Sequence, residues 1–134
     1  MIKSSAKATF NYNIEKIWNI VTNNKEYSWR SDLSKIDIID DNNFIEYTKD
    51  GFPTDFRIIK KEYLKTYEFN LVNKNLKGHW SGIFKKIDEE ITQIYFIVEV
   101  DVNNFLIRLL AKPYLIKQQS RYIKDLRKKL EKCD

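Results

Sequence analysis

The stretch 115-LIKQQSRYIKDLRKKLEK-132 decides how the rest of the chain must fold. Placing residues about 100° apart puts Leu115, Ile116, Gln119, Tyr122, Ile123, Leu126 and Leu130 on one face of a helix. Lys117, Arg121, Lys124, Lys128 and Lys132 fall on the opposite face. The helical period reaches back to about Asn104. Pro113 either opens this helix after a shorter turn through NFLIRLLAK or kinks one longer helix.

Most of what precedes the helix reads as strand. KIDIID, NFIEYTKD, TDFRIIKKEY, TYEFNLVN, LKGHWSGIFKKID and ITQIYFIVEVDV are rich in β-branched and aromatic residues. The turn signals DDNN, KDGFP, NKN and DEE separate them, and such short connections favour antiparallel hairpins over parallel crossovers. Near the start, KSSAKATF alternates Ala6, Ala8 and Phe10 with polar neighbours, as a strand does. NIEKIWNIVTN then supplies Asn13 as N-cap and Ile14, Ile17, Trp18 and Val21 along one face of a short helix. NKEYSWRSDL continues as a second short helix or an ordered loop.

The expected class is α+β: a first strand, two short helices, about six further strands and a long C-terminal helix. A flat layer of about seven strands presents more apolar surface than one helix can cover. Curving the antiparallel sheet around the helix solves this and leaves a cavity between them.

Composition narrows the class further. At 134 residues, 43% hydrophobic and 14% aromatic, the chain suits one globular domain with a real core. MIKSSAKATF lacks the apolar run of a signal peptide, and no stretch approaches the ~20 apolar residues of a transmembrane span, so a cytoplasmic protein is expected. The lone cysteine, Cys133, forms no internal disulfide and is read as a frayed, inert thiol. With a single histidine it makes no Cys/His zinc site. Of the net charge of +5, residues 112–132 carry +6 through eight basic side chains and two acids. The basicity belongs to one element.

Three segments together resemble a known family. AKATFNYNIEKIWNIVTNNKEYSWRSDL, YEFNLVNKNLKGHWSGIF and LIKQQSRYIKDLRKKLEK are similar to the opening, the central strands and the closing helix of the START-related, birch-pollen-allergen-like superfamily (SRPBCC), above all its bacterial polyketide cyclase/dehydrase-like branch. The resemblance runs over nearly the whole chain. It implies a helix-grip fold, one START-like domain over residues 1–134 and an internal cavity. That superfamily has no universal catalytic signature, so no catalytic residue is carried over.

Strand alternation nominates the cavity walls. In 76-LKGHWSGIF-84, Leu76, Gly78, Trp80, Gly82 and Phe84 share one face, while Lys77, His79, Ser81 and Ile83 share the other. Trp80 is expected to face the helix and His79 to face outward in a structural role. Phe56 with Ile58, Tyr67 with Phe69 and Leu71, and Ile94 with Phe96, Val98 and Val100 form further apolar rows. Each is ordinary core by itself; together so many rings suggest a lined pocket.

Polar residues on apolar faces carry more information, because burying them costs free energy unless they find partners. Gln119 and Tyr122 either fix a ligand's polar group or bond to strand backbone or an internal water. In SWRSDL, Trp29, Arg30 and Asp32 stand beside the expected cavity mouth. Arg30 either receives a carboxylate or pyrone-like oxygen, or pairs with Asp32. Glu99 is expected outside, and the inward face of the strand holding Tyr47 is undecided. The cavity candidates are Trp29, Arg30, Phe56, Ile58, Phe69, Trp80, Phe84, Phe96, Gln119 and Tyr122.

The chain has no G-x-G-x-x-G, Walker A, nucleophile elbow or H-E-x-x-H, so neither a metal nor a nucleotide cofactor is implied. The expected function is binding of a hydrophobic small molecule or lipid in the cavity. The alternative is a polyketide cyclase or dehydratase, with Arg30, Gln119 and Tyr122 orienting an enolate or moving protons. Converging ionisable groups with shifted pKa values would favour catalysis, and a wholly apolar lining would favour carriage. A third reading sends the basic helix face to an acidic macromolecule or a membrane. No nucleic acid is expected as partner, since the rings that would stack on bases are placed inside. Oligomeric state is left open.

Overall fold

A computed structural model describes residues 1–132; Cys133 lies outside the described residues. The elements are β1 (Ile2–Phe10), α1 (Ile14–Thr22), β2 (Leu33–Ile38), β3 (Asn43–Thr48), β4 (Pro53–Glu62), β5 (Thr66–Val72), β6 (Leu76–Asp88), β7 (Ile91–Val102) and α2 (Phe105–Lys132). The strands form one antiparallel sheet in the order β1-β7-β6-β5-β4-β3-β2. From β2 to β7 each strand turns back on its predecessor, and β1 then pairs with the last strand, Ala6 opposite Phe96. The helix-grip α+β architecture expected from the alternating strands and the terminal helix is what forms.

Helix α1 starts where Asn13 accepts a 2.8 Å hydrogen bond from the Glu15 amide. It buries Ile14, Ile17, Trp18 and Val21. Trp18 meets Phe84 edge-on at 4.9 Å and so seals one end of the sheet's concave face. Helix α2 lies across β1 and β7 and buries Ala111, Leu115, Gln119, Asp125, Leu126 and Leu130.

Three details depart from the sequence reading. Only one helix follows β1: among the described residues, 23–32 run as turns. There the Glu26 carboxylate accepts from both the Ser28 amide and its hydroxyl, and Asp125 accepts from the Ser31 amide and hydroxyl at 2.8 Å. Side-chain bonds of this kind satisfy backbone groups that a helix would otherwise pair. Ile116 is 53% exposed, because the buried stripe runs through Leu115 and Gln119 and the next residue points about 100° away. Pro113 sits inside one continuous helix. The amide it lacks would have bonded the carbonyl of exposed Leu109, which water can satisfy instead.

Of the two glycines in the sheet, Gly78 and Gly82, Gly78 has the less room. It faces Val100 across the β6–β7 ladder, and a Cβ there would run into the Glu99 carbonyl and stand 2.7 Å from Val100 Cγ1. Backbone cannot step aside as a side chain can. Gly78→Ala is therefore expected to cost about 2–3 kcal/mol in urea denaturation; wild-type stability would show that β6 and β7 are not so closely apposed.

Candidate ligand cavity

The curved sheet and α2 enclose a space of about 200 Å³. Alternation delivers its walls. β3 contributes Phe44, Glu46 and Thr48; β4 contributes Phe56; β5 contributes Tyr67, Phe69 and Leu71; β6 and β7 contribute Leu76, Trp80, Phe96, Val98 and Val100. α2 adds Tyr114, Leu115, Gln118, Gln119 and Tyr122, and the loop before β2 adds Arg30 and Asp32.

Rings set the shape. Phe69 and Trp80, opposite one another on β5 and β6, stack at 4.7 Å with planes 1° apart. Phe44 and Phe56 stack at 5.0 Å across β3 and β4. Phe96 and Tyr122 approach edge-on at 5.6 Å, and Trp80 stands 6.1 Å from Tyr122. Such pairs hold one another in fixed orientations, so the apolar wall is preformed.

Seven of the ten residues singled out from sequence line this space: Arg30, Phe56, Phe69, Trp80, Phe96, Gln119 and Tyr122. Trp29, Ile58 and Phe84 do not. Phe84 is core beneath Trp18, at the sealed end. Ile58 packs against that same core just before an irregularity in the β4–β5 ladder. Trp29 stands behind Tyr122, edge-on at 5.3 Å, and supports it rather than the cavity.

The polar residues divide by what already occupies them. Gln119 is fully engaged: its Oε1 accepts from the Ser4 hydroxyl at 2.6 Å, and its Nε2 donates to the carbonyls of Ser4 and Phe96. It ties helix to strands. Tyr122 is different, because among the described residues no group hydrogen-bonds its hydroxyl. Burial pushes the Tyr122 pKa well up, although Arg30 opposes this, so the hydroxyl keeps its proton and remains a donor.

Arg30 forks onto Asp32 through two 3.1 Å hydrogen bonds and reaches both Glu46 oxygens at 3.5 Å. Its guanidinium lies 5.0 Å from the Tyr122 ring centre. Burial works against the Arg30 charge, but Glu46 and Asp32 outweigh it and hold the cation firmly. Burial likewise pushes Asp32 up, yet the Arg30 charge and hydrogen bonds bring it below the usual carboxylate range. Glu46 goes the other way: burial raises it, Arg30 opposes, and the Asp32 charge adds to the rise. One cation thus serves two carboxylates, and a ligand carboxylate approaching Arg30 would meet Asp32 and Glu46 first.

Glu46, Gln118 and Tyr114 were absent from the sequence candidates. NFIEYTKD carries apolar residues at both parities, which hid Glu46; its spacing from Phe44 was the available signal. Tyr47 points away from the cavity and lies under Lys35, 4.6 Å from the ring centre. His79 sits on the outer face of the sheet, bonded to Glu68, Asn70 and Ser81 within 3.0 Å. Glu99, also outside, pairs with Lys3. Among the described residues no three His, Cys, Asp or Glu side chains converge as a metal site would require. Among the described residues no helix is long and apolar enough to cross a membrane.

No family model matches the chain, and no curated protein matches it. Solved structures do. A START superfamily protein from Mycobacterium smegmatis superposes with a TM-score of 0.90 at 12% identity, over 98% of this chain and 99% of that one. The Zhui aromatase/cyclase from Streptomyces sp. R1128 gives a TM-score of 0.86 at 7% identity, over 97% and 93%. The di-domain ARO/CYC BexL gives 0.79 at 6% identity, over 98% of this chain and 47% of that one. With them this chain shares its fold, the helix-grip.

The raised Glu46 pKa has a signed consequence. A carboxyl whose folded pKa lies above its unfolded value (about 4.3) stabilises the fold below that value and loses this contribution as pH rises through the folded pKa. Glu46→Gln should therefore gain Tm relative to wild type between about pH 5 and 8, with little difference at pH 4. A deficit that grows as pH rises above about 4 would instead mean that Glu46 is ionised and paired in the folded chain.

Proposed function

We propose that the chain binds a small apolar molecule in the space between the sheet and α2, and that it does so as one START-like domain. The observation that carries this reading is the ring-lined cavity itself. Its walls are stacked aromatics already fixed by one another, so a guest meets preformed apolar surface at little ordering cost. At about 200 Å³ it lies below the ~300–1,000 Å³ of drug-sized sites. A single-ring or short-chain guest fits that volume; a long lipid or extended polyketide chain requires side chains to move.

The polar end restricts the guest further. Tyr122 offers a hydroxyl donor, while Asp32 and Glu46 neutralise Arg30. A carbonyl or ether oxygen suits Tyr122 better than a carboxylate suits the cluster, which narrows the role first considered for Arg30.

One observation favours a second reading, an enzyme of the cyclase or dehydratase kind. Glu46 holds a proton more tightly than an ordinary carboxyl and lines the same space as Tyr122. Tyr122 would donate to a substrate carbonyl as it becomes an enolate, and ionised Glu46 would accept the proton leaving the adjacent carbon. That proton would return to a departing hydroxyl as water. The aromatase/cyclase structures of like fold lend this reading support but no residue roles.

Native mass spectrometry of freshly purified protein, then a thermal-shift screen of small ring compounds, tests the proposal. A bound compound at one hundred times its Kd stabilises by about 2.7 kcal/mol, several degrees in Tm. Trp80→Ala should abolish that shift. Absence of both adduct and shift across the screen would sink the binding reading. If a screened compound is converted, Tyr122→Phe separates the two readings: loss of conversion with binding kept supports the enzyme.

A further inference from the structure

The first half of α2 turns its apolar side chains outward. Phe105, Leu106, Leu109, Leu110, Tyr114 and Ile116 are each between 52% and 71% exposed. The inward positions of the same turns, Ile107, Ala111 and Leu115, already pack against β7 and Leu76. The outer residues are therefore surplus to the core. Scattered exposed leucines need no explanation, but six large apolar residues within three turns form a contiguous patch.

The charges around this patch have one sign. From Phe105 to Lys124 the chain has no acid and five cations: Arg108, Lys112, Lys117, Arg121 and Lys124. At about 100° per residue, Phe105, Ile116, Leu109, Leu106 and Leu110 cover one broad outer sector. Arg108 and Lys112 border it on one side and Arg121 on the other, while Lys117 continues the line of Leu106 and Leu110 about two turns beyond Leu110. Lys112 donates to the Lys3 carbonyl, which keeps its charge at that border.

We infer that this face of α2 docks on an anionic lipid bilayer. An apolar strip flanked by long cationic side chains is the pattern of a helix lying in the membrane interface, its apolar residues among acyl chains and its cations at the phosphates. Pairing with a second copy is disfavoured, because two such faces would bring five cations against five. Tyr114 belongs to the outer patch and to the cavity lining at once, beside Leu115 and Gln118. Docking thus brings the cavity rim to the bilayer surface, and an apolar guest passes between them without crossing bulk water. That passage rests on the binding reading above; the docking itself does not.

Flotation with vesicles of equimolar phosphatidylglycerol and phosphatidylcholine, against phosphatidylcholine alone, tests the inference. The anionic vesicles should bind at least about tenfold tighter, less so as salt is added. The double variant Leu106→Gln/Leu109→Gln should lose at least about tenfold of that binding with unchanged Tm, both residues being exposed and outside the core. Equal binding to both vesicle types, no binding to either, or undiminished binding by the double variant would overturn docking. So would a concentration-dependent dimer that the same variant dissolves, which assigns the face to a second copy. The arms are independent. The double variant should keep any thermal shift from ring compounds, and Trp80→Ala should keep vesicle binding, so failure of one reading is visible apart from failure of the other.

Discussion

Gln119 binds the Ser4 hydroxyl and carbonyl and reaches the Phe96 carbonyl, and in doing so fixes α2 to β1 and β7. All three groups are out of water, so breaking the arrangement would strand a buried amide and hydroxyl. The clamp holds the helix against one edge of a seven-stranded sheet. Strands β2, β3 and β4 occupy the other edge, away from β1 and β7 on which the helix rests. Right-handed twist carries that edge up and around, and the gap beneath it is the cavity. A helix packed centrally on a flat sheet would have no such gap.

A second long-range tie places the polar end of the space. The Asp125 carboxylate on α2 accepts from the amide and hydroxyl of Ser31, fixing the loop that carries Arg30 and Asp32. Arg30 is thereby committed to Asp32 and Glu46 rather than left free. Buried ion pairs are poor sources of net stability, because desolvation consumes most of the Coulomb gain. Their worth here is positional: the guanidinium sits against Tyr122, which lines the cavity and whose hydroxyl has no hydrogen-bond partner among the described residues.

The architecture was legible because it rests on periodicity. Alternation in LKGHWSGIFKKID placed Trp80 inward and His79 outward, and the helical stripe from Leu115 to Leu130 identified the gripped element. What was hidden depended on partners remote in sequence. Asp125 reads as one acid in a basic helix until Ser31, 94 residues earlier, arrives to bond it. Residues 23–32 read as a possible helix until that same bond and the local side-chain bonds replace helical pairing. Glu46 lay in a strand apolar at both parities, where the rule for choosing an inward face has nothing to act on. The cavity itself follows from curvature, which residue types suggest but register determines.

Helix α2 is asymmetric along its length, and the asymmetry has a physical logic. Its second half carries the fully buried Leu126 and Leu130 and the Gln119 and Asp125 ties, so it belongs to the fold. Its first half, up to about Ile116, buries one narrow stripe and exposes a broader apolar one. Exposed leucines add nothing to a monomer's stability and invite association between copies. The surrounding cations and a net charge of +5 oppose that association while attracting an anionic surface. Pro113 is tolerated within the exposed half, where solvent supplies the hydrogen bond it removes. The same helix therefore closes the cavity with one face and, beside its rim, offers apolar surface with the other.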